Sequence, residues 1–351
     1  MDFDLVLKFL VSIVPVVAFL LVFSRLDVFD FLSLKVIAAL LLAGAGAAVL
    51  SLTVNGSLIY TFSIETGRYS FFFAPVVEEL FKALPIIILF HHNRLGYKLD
   101  AGISGFAIGA GFAMIENMWF LTEITDSNLS TWLVRGFGTA IMHGGTTAIF
   151  SLIGHEMTER QAESGSATYS FRLIYFVPGI LVAILIHFLF NYFVGQPLVT
   201  MLLTLLLVPL VLFLTFAFNE QAISKWLKDD SEKHRQALDD IESGKFAESK
   251  DGLAIRKIME RSILGNIDDV FAYILLMNQL ILRAEELILA SHDDEEIDAG
   301  EAEVEMFERL MLLEGRIGPI TLMSIEPHLG FSRNDIWEFN QLRIHVERLL
   351  D

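Results

Sequence analysis

The chain has 351 residues, of which 54% are hydrophobic, with nine histidines, no cysteine and a formal net charge of −18; its mean hydropathy is +0.56. That hydropathy argues against a soluble protein of this length, and the missing cysteine excludes disulfides, thiolate metal sites and a cysteine nucleophile. The acidity is uneven: residues 1–219 carry 10 Lys and Arg against 14 Asp and Glu, while residues 220–351 carry 15 against 29, so the C-terminal third should be repelled by nucleic acid and anionic lipid and suits a soluble partner.

Apolar blocks of about 20 residues, enough to cross a hydrocarbon core of roughly 30 Å, fall near residues 4–23, 35–54, 71–90, 101–122, 132–154, 173–194 and 197–218. They predict seven spans. The first is no cleavable signal peptide, because Asp2 and Asp4 stand where a basic n-region would be. The second is Ala/Gly-rich. The third contains Glu78, Glu79 and Lys82, with Glu78 able to reach Lys82 one helical turn on. The fourth contains Gly105 and Gly109, a small-residue face for close packing, then Glu116 and Asn117. The fifth contains His143, and the sixth His187 and Asn191, four apart on one face. Gly195-Gln196-Pro197 is a minimal turn into the seventh. His91, His92 and His155 read as interfacial residues, and Tyr60, Trp119 and Trp132 as boundary anchors.

Beyond residue 220 the pattern is soluble and helical. Ala272 to Leu289 reads as an amphipathic helix of a small bundle, because Asn278, Gln279, Arg283, Glu285 and Glu286 interrupt it too often for a span. Asp293 to Glu305 reads as a solvated loop and helix start, and Ser332 as the N-cap of a last helix ending near Leu350. There is no fixed-period repeat and no nucleotide-binding glycine loop. The fold class is therefore all-α: a polytopic helical bundle over residues 1–219, followed by an acidic soluble helical domain over residues 220–351. With the N-terminus outside, cytoplasmic flanks hold Arg25, Lys35, Arg94, Lys98, Arg160, Arg172, Lys225 and Lys228, while outer loops hold Arg68 and Arg135. This bias places the C-terminal domain in the cytoplasm.

An ionisable group at the bilayer centre costs roughly 2.5–3.5 kcal/mol even on lenient scales, so such groups face the bundle interior or a water-filled cavity. At 1.5 Å per residue, Glu78, Glu116 and His187 each lie about 9–10 Å below the outer ends of their spans, and His143 about 16 Å. Four helices of alternating direction thus bring polar groups to similar depth, as one site in the outer half of the membrane. A buried glutamate can act as general base on water, histidine can share that role or bind a metal such as zinc, and His/Asn donors can stabilise an oxyanion. His155-Glu156 lacks the second histidine of a zincin, and there is neither a Gly-x-Ser-x-Gly motif nor an intramembrane aspartate pair.

Glu78-Glu79-x-x-Lys82, Phe112-x-x-x-Glu116-Asn117, isolated His143 and His187-x-x-x-Asn191 together resemble the PrsW family of bacterial membrane proteases, related to the CAAX prenyl proteases and Abi proteins. The resemblance covers roughly residues 65–195. It implies cleavage of a single-pass membrane substrate, such as an anti-sigma factor, on the extracytoplasmic side of the inner membrane. Carried over by position, Glu78 and Glu79 are the catalytic carboxylates, Glu116 and His143 assist, and His187 and Asn191 stabilise the oxyanion or join a metal site. If a divalent metal such as zinc is present, Glu79, His143 and His187 are its expected ligands. Where CAAX proteases place a histidine after Phe-x-x-x, this chain has Glu116. A non-catalytic scaffold like the Aph subunit of gamma-secretase is the alternative; an ion-coupled transporter is disfavoured by the lack of inverted repeats.

Overall fold

Every regular element is a helix in the computed structural model of the protein, which describes residues 3–25, 32–123, 129–163, 171–192, 196–261, 266–292 and 300–350. The chain divides into two units, Met1–Glu159 with Phe171–Asn219, and Arg160–Ser170 with Glu220–Asp351.

The first unit holds α1 (Phe3–Arg25), α2 (Leu34–Phe62), α3 (Thr66–Phe72), α4 (Ala74–His91), α5 (Lys98–Glu123), α6 (Leu129–Leu133), a π-helical turn (Val134–Thr139), α7 (Ala140–Glu163), α8 (Val177–Tyr192) and the start of α9 (Pro197–Glu242). Helix α5 is its centre. Ala101 through Ala113 is buried without a break, because glycine, alanine and serine let α1, α2 and α4 come close. The expected packing face is present: a Cβ on Gly105 would lie 2.6 Å from the Thr147 carbonyl oxygen, and one on Gly109 2.1 Å from that of His143. Gly109 thereby sets where His143 stands. Gly109→Ala is expected to push the His143 backbone out of place and to lower stability by about 1–3 kcal/mol, the usual cost of overpacking; the thermal unfolding midpoint with membrane yield would measure it.

Among the described residues, Leu34–Phe62, Lys98–Phe120, Leu173–Tyr192 and Pro197–Thr215 are long and apolar enough to cross a membrane. These four overlap the expected second, fourth, sixth and seventh spans; α4 and α7, in the expected third and fifth, are less apolar for visible reasons. Helix α4 carries Glu78, Glu79 and Lys82, and α7 carries His143, His155 and Glu156 among small residues, while α1 is apolar along most of Phe3–Arg25. The groups that make a site are the groups that depress hydropathy. Leu202, Leu206, Leu210 and Phe213 of α9 and Leu181, Leu185 and Leu189 of α8 are exposed large apolar side chains, the surface a lipid environment would cover.

Two boundary assignments need correction. Trp132 is 1% exposed, packed inside the protein where a boundary anchor was expected, while Tyr60 and Trp119 are exposed. His155 is likewise fully buried, its Nε2 2.8 Å from the Gly96 carbonyl oxygen. Gly195 of the expected turn and residues 293–299 of the expected loop lie outside the described residues.

The second unit contains α10 (Lys245–Glu248), α11 (Lys250–Met259), α12 (Ile267–His292), α13 (Glu301–Ile317), α14 (Pro319–Ile325) and α15 (Arg333–Leu350). Helix α12 packs against α13 and α15, burying Ile274, Leu280 and Ile281 with Phe307, Leu310, Phe339 and Leu342. This is the amphipathic helix expected over Ala272–Leu289, with Gln279, Arg283 and Glu286 partly exposed and Asn278 and Glu285 buried. Leu280→Ala in this core is expected to lower stability by roughly 2–5 kcal/mol, readable as a fall in the thermal unfolding midpoint. Ser332 caps α15 as expected: its Oγ accepts from the Asp335 N–H at 3.1 Å, and its own N–H donates to Asp335 Oδ2 at 2.6 Å.

His234 sits between two carboxylates, Nδ1 2.9 Å from Glu285 Oε1 and Nε2 3.5 Å from Asp335 Oδ2. Burial opposes its charge, but hydrogen bonding to Asp335 and Glu285 outweighs this and lifts the imidazole pKa to about 10. A raised folded-state pKa contributes stability that is complete below the ordinary value near 6.5 and lost as pH rises toward 10. The protein should therefore lose stability across that window, and His234→Gln should flatten the loss; thermal unfolding against pH measures both.

Candidate active site

Helix geometry on α4 sets the first layer. Glu79 and Lys82 are three residues apart on its buried face, and Lys82 Nζ donates to Glu79 Oε1 at 2.6 Å. The lysine was expected to pair with Glu78; a buried i,i+3 pair forms instead, with side chains 0% and 2% exposed. The same Glu79 oxygen lies 2.8 Å from His187 Nδ1 and 3.4 Å from Thr146 Oγ1. One oxygen of buried Glu79 thus takes three contacts.

Glu78 is held more loosely. Its Oε1 accepts from Asn55 Nδ2 at 3.5 Å, its Oε2 lies 3.8 Å from His187 Nε2, and its side chain keeps 14% exposure. Asn55 is fixed in turn by Tyr69, whose hydroxyl donates to Asn55 Oδ1 at 2.8 Å. Short α3 therefore steers Glu78 through α2. The other end of this contact is aromatic, with Phe71 meeting Phe188 edge to face at 4.8 Å.

Glu116 and His143 form the opposite wall. His143 Nδ1 is 3.0 Å from Lys82 Nζ, and its Nε2 is 2.7 Å from Glu116 Oε2. That close contact is poorly aligned, since Glu116 Oε2 is buried and receives no hydrogen bond. Arg135 clamps the wall from outside: its NH2 donates to Glu116 Oε1 at 3.2 Å and its Nε to Asn117 Oδ1 at 3.0 Å. The guanidinium lies over the Phe120 ring, 3.6 Å from its centroid. Arg135 reaches these partners from the π-helical turn, a widening that often marks functional sites. The His143 and His187 rings stand perpendicular with centroids 4.9 Å apart.

Glu78, Glu79, Glu116, His143 and His187 thus come together from α4, α5, α7 and α8. Asn191 does not join them; its amide donates to the Ser70 carbonyl at 3.3 Å. Asn55, Tyr69, Arg135 and Thr146 were missed. Asn55 lies one residue past its expected span and Arg135 read as an outer-loop charge, so the signal was polarity at a span end, which is ordinary.

The donor set fits a divalent ion. Glu78, His143 and His187 each offer an atom within 4.8 Å of the others, and carboxylate with neutral imidazole suits zinc. Glu78 takes the place expected for Glu79, which instead anchors His187 Nδ1 and leaves its Nε2 free, the usual carboxylate–histidine support of a metal ligand. The unsatisfied Glu116 oxygen beside His143 is the kind of buried acceptor that a cation would relieve.

A family model described as PrsW family intramembrane metalloprotease matches residues 33–217, more than half of the chain and all of the helices that build this cluster. No curated protein and no solved structure matches the chain.

Proposed function

The chain belongs to the PrsW family of intramembrane proteases, and on that premise we propose that it hydrolyses a peptide bond of a single-pass membrane protein at the Glu78–His187 side of the cluster. It is an integral membrane protein and a membrane peptidase by family; α1, α4 and α7 are counted with the four apolar helices as seven spans. The site lies toward the extracytoplasmic face of a bacterial inner membrane, with the N-terminus outside. Residues 1–219 are the protease domain, and residues 220–351 form a cytoplasmic domain that suits a soluble partner. An anti-sigma factor is the kind of substrate the family implies.

The observation that carries this reading is the convergence of three glutamates and two histidines from four helices, with one glutamate left loosely held. Glu78 is assigned as general base because its carboxylate is the least committed. It takes a proton from water as the water oxygen bonds to the scissile carbonyl carbon, and returns that proton to the leaving amine as the C–N bond breaks. Glu79, locked by Lys82, fixes the tautomer of His187 by accepting from Nδ1. Arg135 holds Glu116 against His143. Were a divalent metal bound, Glu78, His143 and His187 would hold it, Glu78 then serving as ligand in place of base, and the metal would supply the acidified water and a polarised carbonyl. Asn191, tied to Ser70, is given no part in proton transfer.

The test is cleavage of tagged single-pass proteins by the purified chain, before and after exhaustive chelation, beside Glu78→Gln. Cleavage lost on chelation and restored by zinc is expected, with Glu78→Gln folded and inactive. Cleavage that survives chelation removes the metal from the reading, and a wild-type rate in Glu78→Gln removes the base.

A further inference from the structure

The second unit contains a group of side chains that the protease reading leaves unused. Asp230 and His234 lie one turn apart on α9, and Glu285 meets them from α12. All three are buried, and each offers one ligand atom within 4.8 Å of the others. Glu285 is 0% exposed. Its Oε1 is 2.9 Å from His234 Nδ1, but its Oε2 is buried with no hydrogen-bond partner. Ser231, one residue along α9, donates its hydroxyl to the Leu227 carbonyl at 2.7 Å and lies close enough to Glu285 to favour its charged form. A carboxyl oxygen buried without a partner is among the least favourable groups a core can hold.

We propose that Asp230, His234 and Glu285 form a second divalent-cation site, of the zinc class, that ties α9 to α12. One imidazole and two carboxylates at i, i+4 and across a helix pair are a nitrogen–oxygen donor set suited to zinc. Asp335, 3.5 Å from the remaining His234 nitrogen, supplies the outer carboxylate that commonly orients a ligating histidine. Asp335 is itself fixed by Ser332 at the start of α15, so the site would join three helices of this unit. Lys233, 2.9 Å from Asp230 Oδ1 and largely exposed, can swing away to free that oxygen. The competing arrangement is a metal-free imidazolium held between Glu285 and Asp335.

This inference does not rest on the protease reading, and the experiment separates the two sites. Full-length His187→Ala, purified in detergent, is equilibrated with zinc at neutral pH, freed of excess, and assayed for zinc per chain by mass spectrometry. About one zinc per chain is expected to remain. Adding Asp230→Asn or Glu285→Gln to this background should lower retained zinc at least tenfold, with helicity by circular dichroism unchanged for at least one of them. Zinc should also raise the thermal midpoint of His187→Ala and leave that of His187→Ala/Glu285→Gln unmoved. If His187→Ala retains no zinc, or if retention and thermal shift persist after both second-site substitutions, the site is an imidazolium cluster and the proposal is overturned.

Discussion

Replacing His187 by alanine is expected to lower cleavage by roughly 10²–10⁴-fold, the range a positioned proton-transfer group contributes, while the protein stays folded. Both ring nitrogens of His187 are engaged. His187 Nδ1 is satisfied by Glu79 at 2.8 Å, and Nε2 faces Glu78 at 3.8 Å, a gap too long for a direct hydrogen bond and suited to a water or an ion between them. Alanine removes the group that turns the Glu78 carboxylate from a buried acid into half of a water-activating pair. The Glu79–Lys82 ion pair survives, so membrane yield and thermal midpoint should change far less than rate. Kinetics and thermal unfolding on the same preparation separate the two effects.

Lys82→Met is the complementary case, in which stability falls first. It leaves Glu79 buried with its main counter-charge gone, and breaking one side of a buried pair typically costs about 3–5 kcal/mol. The loss is larger than for most substitutions because Lys82 also contacts His143 Nδ1 and Thr146 and lies 5.1 Å from the Phe112 ring centroid. Glu79→Gln/Lys82→Met, which removes both charges, should recover most of the stability and none of the activity, since His187 would lose its anionic anchor. A Lys82→Met protein as stable as wild type would show that the pair is not what holds this face of α4. A double variant that is stable and active would show that Glu79 is dispensable.

How much of this was legible in the sequence follows from what a single chain encodes. Glu78, Glu79, Lys82, Glu116, His143 and His187 stood out because a charged or imidazole side chain in a long apolar block is costly and therefore informative. Their convergence was inferred from depth, and the helices do bring them together. Pairing within the cluster was not legible: i→i+3 and i→i+4 are both within reach on a helix, and the choice of Glu79 for Lys82 depends on α7 and α8 supplying Thr146, His143 and His187 on that side. Arg135 and Asn55 were hidden because polar residues near span ends are common, and Trp132 because the interior of a bundle and a membrane boundary both accept an indole. Asn191 shares a face with His187, as spacing required, but Ser70 on α3 claims its amide. In the second unit, Asp230, His234, Glu285 and Asp335 are scattered among ordinary charged residues, and nothing in their spacing announces that α9, α12 and α15 bring them together.

The most direct measurement is the rate at which purified wild type, His187→Ala and Glu78→Gln, each verified as folded, cut one tagged single-pass membrane protein reconstituted with them in liposomes. The account predicts discrete products from wild type alone, with both variants slower by at least about 10²-fold. Equal rates from all three, or products that appear equally without the enzyme, would contradict it.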